Sequence, residues 1–160
     1  MNSGRELFEH ELRDIFDAEN KLLGALENMS GKVSNEQLSQ SFAQHRDVTE
    51  RQVERLEQVF KAVDRTPRRE PCKGINGLIE EFSSFVQDKP SPDVLNVFAA
   101  NAAIKIEHYE ICAYKSLIRL ADQLGLTEAA ELFEQNLKEE QETAQELDAF
   151  AEKIGHELPA

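Results

Sequence analysis

The stretch from Ile104 to Leu120, reading IKIEHYEICAYKSLIRL, constrains the fold most, because a strongly apolar helical pattern in it turns two acids inward. Glu107 falls in the run Val97, Ala100, Ile104, Glu107, Ile111, Tyr114 and Ile118. Glu110 falls in the parallel run Ala103, Ile106, Glu110, Ala113, Leu117 and Leu120, again in steps of three and four. Residues three apart share a helix face, so both carboxylates point to one side. An ionised carboxylate is costly to bury unless a cation, a proton or hydrogen-bond donors meet it. The rest of the chain must supply one of these.

Three further long helices are legible. Ser3 with Glu6 has the spacing of a capping box and opens a helix expected over 4–29, ended by Gly31, with the seam Phe8, Leu12, Ile15, Glu19, Leu22 and Leu26. Ser34 with Gln37 repeats the signal for a helix over 35–64, which Thr66-Pro67 forbids from continuing. Its stripe, Leu38, Phe42, His45, Thr49, Gln52, Leu56, Val59 and Val63, is apolar at both ends and polar at its centre. The helix carrying Glu107 and Glu110 opens at Ser91-Pro92 and runs over 92–124, before Gly125. Thr127 is placed to cap the last, over 127–154, whose seam Leu126, Ala130, Phe133, Leu137, Glu140, Ala144, Leu147, Ala151 and Ile154 has a single acid at its middle. Between the second and third long helices lies a Pro- and Gly-punctuated connection with one short amphipathic helix, expected over 76–88.

The chain is therefore expected to be all-α: four long helices in two hairpins, joined by a long crossover containing a short extra helix, which lets the second and third long helices lie parallel. Polar interruptions fall near the midpoint of every long helix. With turns placed at Met29 to Asn35 and after Gln123, counting along the helices levels Glu19 with His45, Glu110 with Glu140 and Glu107 with Thr143. The helices thus meet in one polar layer across the centre.

Composition closes off other classes. A net charge of -13, with the basic cluster Arg65, Arg68 and Arg69 in a loop, argues against a nucleic-acid surface. No apolar run approaches the ~20 residues of a membrane span, and the start MNSGRELFEHE lacks an apolar signal core, so a cytoplasmic address is expected. Cys72 and Cys112 are too few and too far apart to frame a disulfide scaffold or a zinc knuckle, and read as a loop thiol and a small buried hydrophobe. His108 reads as a flank residue, and His10 and His156 as surface.

Four inward carboxylates with an imidazole describe a hard anionic cage suited to iron or manganese rather than structural zinc. The candidate ligands are Glu19, His45, Glu107, Glu110 and Glu140. The alternative is a packing network without metal, in which protonated acids bond Gln52, Thr49, Thr143 and Tyr114, with Arg55 or Lys105 as counter-charge.

Four segments also resemble the YciE/YciF group of ferritin-like bacterial stress proteins: LRDIFDAENKLL (12–23), HRDVTERQVERLEQVF (45–60), IEHYEICAY (106–114) and LKEEQETAQEL (137–147). The likeness spans 6–151. It implies a single ferritin-like four-helix-bundle domain over 1–160, a homodimer, and kinship with rubrerythrin-like di-iron proteins acting in stress. It carries ligand roles onto Glu19, Glu107, Glu110 and Glu140. The chain departs from active di-iron relatives in having no Glu-x-x-His; the corresponding places read Thr49-x-x-Gln52 and Glu140-x-x-Thr143. That leaves one metal, two or none open, with His45 as a substitute ligand. Two functions follow as expectations: oxidative-stress chemistry at a non-haem iron or manganese site, or a catalytically silent helical stress protein acting through dimerisation or partner binding.

Overall fold

The capping box forms as its spacing predicts: the Ser3 hydroxyl accepts from Glu6 N–H at 3.2 Å while the Glu6 carboxylate accepts from Ser3 N–H at 3.1 Å. It opens α1 (Gly4–Lys32), followed by α2 (Glu36–Ala62), α3 (Lys73–Gln87), α4 (Pro92–Gln123) and α5 (Thr127–Gly155) in a computed structural model that describes residues 1–156 and 158. No strand occurs among the described residues.

The element boundaries depart from expectation where side chains compete for the turns. Gly31 does not end α1, which runs on to Lys32 because Ser30 in its last turn exchanges hydrogen bonds with Ser39 in the first turns of α2, at 2.9 and 3.0 Å. Asn35, not Ser34, caps α2, its side-chain oxygen accepting from Leu38 N–H at 3.0 Å. α2 stops at Ala62, two residues early, as Asp64 turns left-handed at φ 57°. Thr127 does not cap α5. The α4–α5 turn is closed instead by a Schellman motif, with Gly125 at φ +68° and Leu126 N–H donating to Ala121 O at 2.9 Å. α3 begins three residues early, because Cys72 N–H donates to the buried Asp17 carboxylate at 2.8 Å and pins the start of α3 to α1.

The four long helices pack in a ring, α1 on α2, α2 on α5, α5 on α4 and α4 on α1, and α3 lies against α4 and α1. Phe85 of α3 stacks on Phe98 of α4, with ring centroids 3.7 Å apart. Direction is set at the α1–α2 turn, where the Asn96 side-chain oxygen accepts from Ser34 N–H at 2.9 Å and Asn35 N–H at 3.2 Å. The start of α4 therefore sits beside the start of α2, so these two helices run parallel. Apolar side chains fill both ends of the ring: Phe8, Leu12, Leu56 and Phe133 toward one end, and Leu26, Met29, Leu38 and Phe42 toward the other, all at most 2% exposed.

Asn96 is 7% exposed and joins two otherwise separate backbone donors to α4. Replacing it by Ala is expected to lower stability by about 0.5–1.5 kcal/mol, the net range for a hydrogen bond whose donors, on exposed Ser34 and half-buried Asn35, can turn to water, while Asn96→Asp keeps the acceptor and most of the stability. Urea unfolding of the two variants checks this; equal loss in both would show that the acceptor is not what matters.

Candidate metal centre

Periodicity places one residue of each stripe at the middle of the ring, and the helices bring those residues together. Glu19 from α1, His45 from α2, Glu107 and Glu110 from α4 and Glu140 from α5 are between 0% and 5% exposed. They form two groups. His45, Glu107 and Glu140 offer ligand atoms within 4.8 Å of one another, and so do Glu19, Glu110 and Glu140. Glu140 belongs to both. His45 Nε2 lies 3.4 Å from Glu107 Oε1 and 3.9 Å from Glu140 Oε2.

The height counting is corrected in two places. Glu107 faces Glu140 rather than Thr143, whose hydroxyl donates to the Glu139 carbonyl of its own helix at 3.0 Å. Glu19 and His45 fall into different groups, because α4 supplies two acids one turn apart and each recruits a different neighbour.

Of the partners that a metal-free network would need, Tyr114 is in place on a layer acid, whereas Thr143, Arg55 and Lys105 are committed elsewhere. Tyr114 donates to Glu19, and Asn136 donates to the Tyr114 hydroxyl at 2.9 Å. Arg55 is held by both oxygens of Glu139, each at 2.7 Å, and by Asn136 at 2.7 Å, while Lys105 pairs with Glu81 at 2.8 Å. Neither cation contacts an acid of the layer. The second oxygen of Glu19, both oxygens of Glu107, Glu110 and Glu140, both His45 ring nitrogens, and the polar side-chain atoms of Thr49 and Gln52 have no hydrogen-bond partner among the described residues. So many orphaned buried atoms at one point suit a divalent cation, which would meet the carboxylate oxygens and the imidazole at once.

Asn136 escaped the sequence reading. It lies three residues after Phe133 and four before Glu140, so the same periodicity that found Glu140 marks it. It connects Arg55 to Tyr114 and thereby holds the phenol on Glu19.

The electrostatics follow from burial. Loss of water pushes the Glu19, Glu107 and Glu110 carboxyls well above their usual range, and the neighbouring carboxylates push them further. Glu140 rises to about 7, again chiefly through burial. His45 falls to about 4 for the same reason, so its imidazole is neutral at pH 7 and able to donate a lone pair.

The two thiols reverse their expected roles. Cys112 is exposed and Cys72 is fully buried, its Sγ 3.1 Å from the Tyr109 hydroxyl, because α3 folds back over α1 and α4. His108 and His156 are exposed and His10 half-buried. No helix among the described residues is long and apolar enough to cross a membrane.

The family model described as a domain of unknown function, DUF892, matches residues 3–158. The chain belongs to this family. Protein YciF of Escherichia coli strain K12 is 38% identical over 144 residues, covering 89% of this chain and 87% of the relative. The crystal structure of the E. coli stress protein YciF superposes with a TM-score of 0.94 at 35% identity, covering 99% of this chain and 100% of that one. YcfI from Rhodopseudomonas palustris gives 0.90 at 35% identity, covering 92% of this chain and 94% of that one. The all-helical architecture of this DUF892 chain thus matches that of YciF along its length.

Proposed function

We propose that this DUF892 chain is a ferritin-like four-helix bundle that binds one or two non-haem iron or manganese ions in its central carboxylate layer and serves in a stress response. What carries this reading is the pair of buried ligand groups sharing Glu140, whose oxygens and imidazole nitrogens are otherwise unpartnered. The YciF relative, described as a stress protein, supports the physiological half. Glu19 and Glu110 would hold one ion, His45 and Glu107 the other, with Glu140 between them. Bound iron or manganese would supply one-electron redox chemistry at a position screened from bulk water. Tyr114, fixed by Asn136, holds Glu19 in the layer, and the apolar ends of the ring keep solvent out.

A second reading has one observation in its favour. The places where Glu-x-x-His would stand hold Thr49 with Gln52 and Glu140 with Thr143, so the layer lacks the two histidines that active di-iron relatives use. A chain with that deficit could serve as a silent helical stress protein.

The deciding experiment is anaerobic loading with ferrous iron, extensive dialysis, elemental analysis, and then exposure to peroxide while the visible spectrum is recorded. Metal near one or two ions per chain, with absorption changing on oxidation, is the expected result. Retention of neither iron, manganese nor zinc would favour the silent bundle.

A further inference from the structure

Between α2 and α5 lies a cavity of 280 Å³ whose lining includes Ser41, His45 and Arg51 on one side and Glu142, Thr143 and Glu146 on the other. Arg51, Glu142 and Glu146 are exposed, so the cavity reaches solvent at its outer lip. His45 is 5% exposed and forms its inner wall. Both nitrogens of that ring lack hydrogen-bond partners, and Nε2 stands 3.4 Å from Glu107. One side chain therefore touches both the cavity and the buried cluster.

The charges around the lip are unequal. Glu139, also in the lining, is neutralised by Arg55 at 2.7 Å. Glu142 meets only the exposed Lys138, at 3.8 Å, and Glu146 has no ion pair among the described residues. Arg51 is turned to the Asp47 carbonyl at 3.1 Å. Two carboxylates are thus available to an incoming cation. The four acids behind them are at most 1% exposed, and a hydrated dication cannot cross packed apolar side chains without losing its water uncompensated.

We propose that this cavity is the inlet by which a divalent cation reaches the buried cluster, with Glu142 and Glu146 drawing in the hydrated ion and His45 passing it to Glu107 and Glu140. The proposal rests on the metal-binding reading above. Each water the ion sheds is replaced in turn by a carboxylate oxygen at the lip, the imidazole at the inner wall, and the buried acids beyond. The lip carboxylates act on the rate of capture, through attraction that weakens with salt, and not on the final occupancy.

The test is stopped-flow mixing of the metal-free full chain with Co²⁺, following its visible absorption, with elemental analysis after prolonged incubation. The double variant Glu142→Gln/Glu146→Gln is expected to take up Co²⁺ on the order of tenfold more slowly at low ionic strength, with the difference shrinking at high salt and the final content unchanged. Ser41→Trp, which fills the cavity without altering charge, should slow uptake comparably at every salt concentration. Glu131→Gln, an exposed α5 acid outside the lining, serves as the charge control. Wild-type rates in both cavity variants, with normal final content, would overturn the inlet while leaving the metal site intact. No uptake by the wild-type chain at any time would remove the site and the inlet with it.

Discussion

In the Glu107→Gln/Glu110→Gln protein, tightly held metal is expected to fall to background while the metal-free chain melts at a higher temperature than wild type. Each substitution keeps the shape of the side chain and removes one carboxylate from one of the two ligand groups, so both groups are damaged at once. Loss of an outer partner alone lowers metal affinity by about 10–100-fold, and direct ligands matter more. The rise in stability has a separate cause. Glu107 and Glu110 are 0% and 1% exposed, and neither has a hydrogen-bond donor or cation to offset its charge. At pH 8 each acid costs stability whether it is buried ionised or held protonated against the solvent pH, and removing that cost is worth about 1–4 kcal/mol, or several degrees of melting temperature in a chain of this size. Elemental analysis after loading and calorimetry of the metal-free protein at pH 8 give the two readouts. Undiminished metal in the variant would sink the site as drawn. Lost metal with a lowered melting temperature would mean that the acids are already compensated by hydrogen bonds.

The second expectation is that the metal-free protein loses stability as pH rises from 6.5 to 8.5, and that bound metal removes this loss. Burial raises the folded-state values of Glu19, Glu107 and Glu110 well above 4.5, and that of Glu140 from 4.5 to about 7. A group whose folded value is raised contributes stability that is complete below its unfolded value and disappears as pH climbs through the folded one. For Glu140 alone the whole loss is on the order of 3 kcal/mol, spread from about pH 4.5 to a little above 7, so about 1 kcal/mol or less of it falls above pH 6.5 and the other three acids carry the rest of the slope there. His45 works in the opposite sense. Its value falls from 6.5 to about 4, so folding excludes a proton that the unfolded chain binds, and stability rises with pH between those values. Above 6.5 that contribution is finished and the acids alone act. With cation bound, the carboxylates are held ionised and binding itself strengthens as protons leave, so the slope flattens or reverses. Guanidinium unfolding at several pH values, with chelator and with Mn²⁺, measures both slopes. Metal-free stability that is constant or rising from pH 6.5 to 8.5 would show that the layer is not made of neutral acids.

Much of this site was legible because a polar residue in an apolar helical stripe has only one reading of direction. Glu19, Glu107, Glu110 and Glu140 each interrupt a seam of Leu, Ile, Ala and Phe, and all four are buried. Asn136 obeys the same rule and was passed over, since an amide at that spacing looks less anomalous than a carboxylate. The capping box at Ser3 and the glycine after α4 were legible for a local reason: hydrogen bonds within a few residues decide them. Ser34 and Thr127 misled because a distant partner intervened in the first case, Asn96, and a backbone turn in the second.

By itself the sequence determined that the chain is helical, which face of each long helix is buried, and that a polar residue stands at the middle of every buried face. Those follow from spacing along one helix and need no neighbour. Only the tertiary structure decided the rest: that the acids divide into two groups sharing Glu140, that Arg55 and Lys105 are occupied elsewhere, and that Cys72 is sealed under α3 while Cys112 faces water. It also decided that His45 stands between the cluster and the cavity. The physical reason is that periodicity specifies the direction of a side chain from its own axis. The rotation and axial offset of one helix against another come from packing between them, and these decide which inward side chains meet.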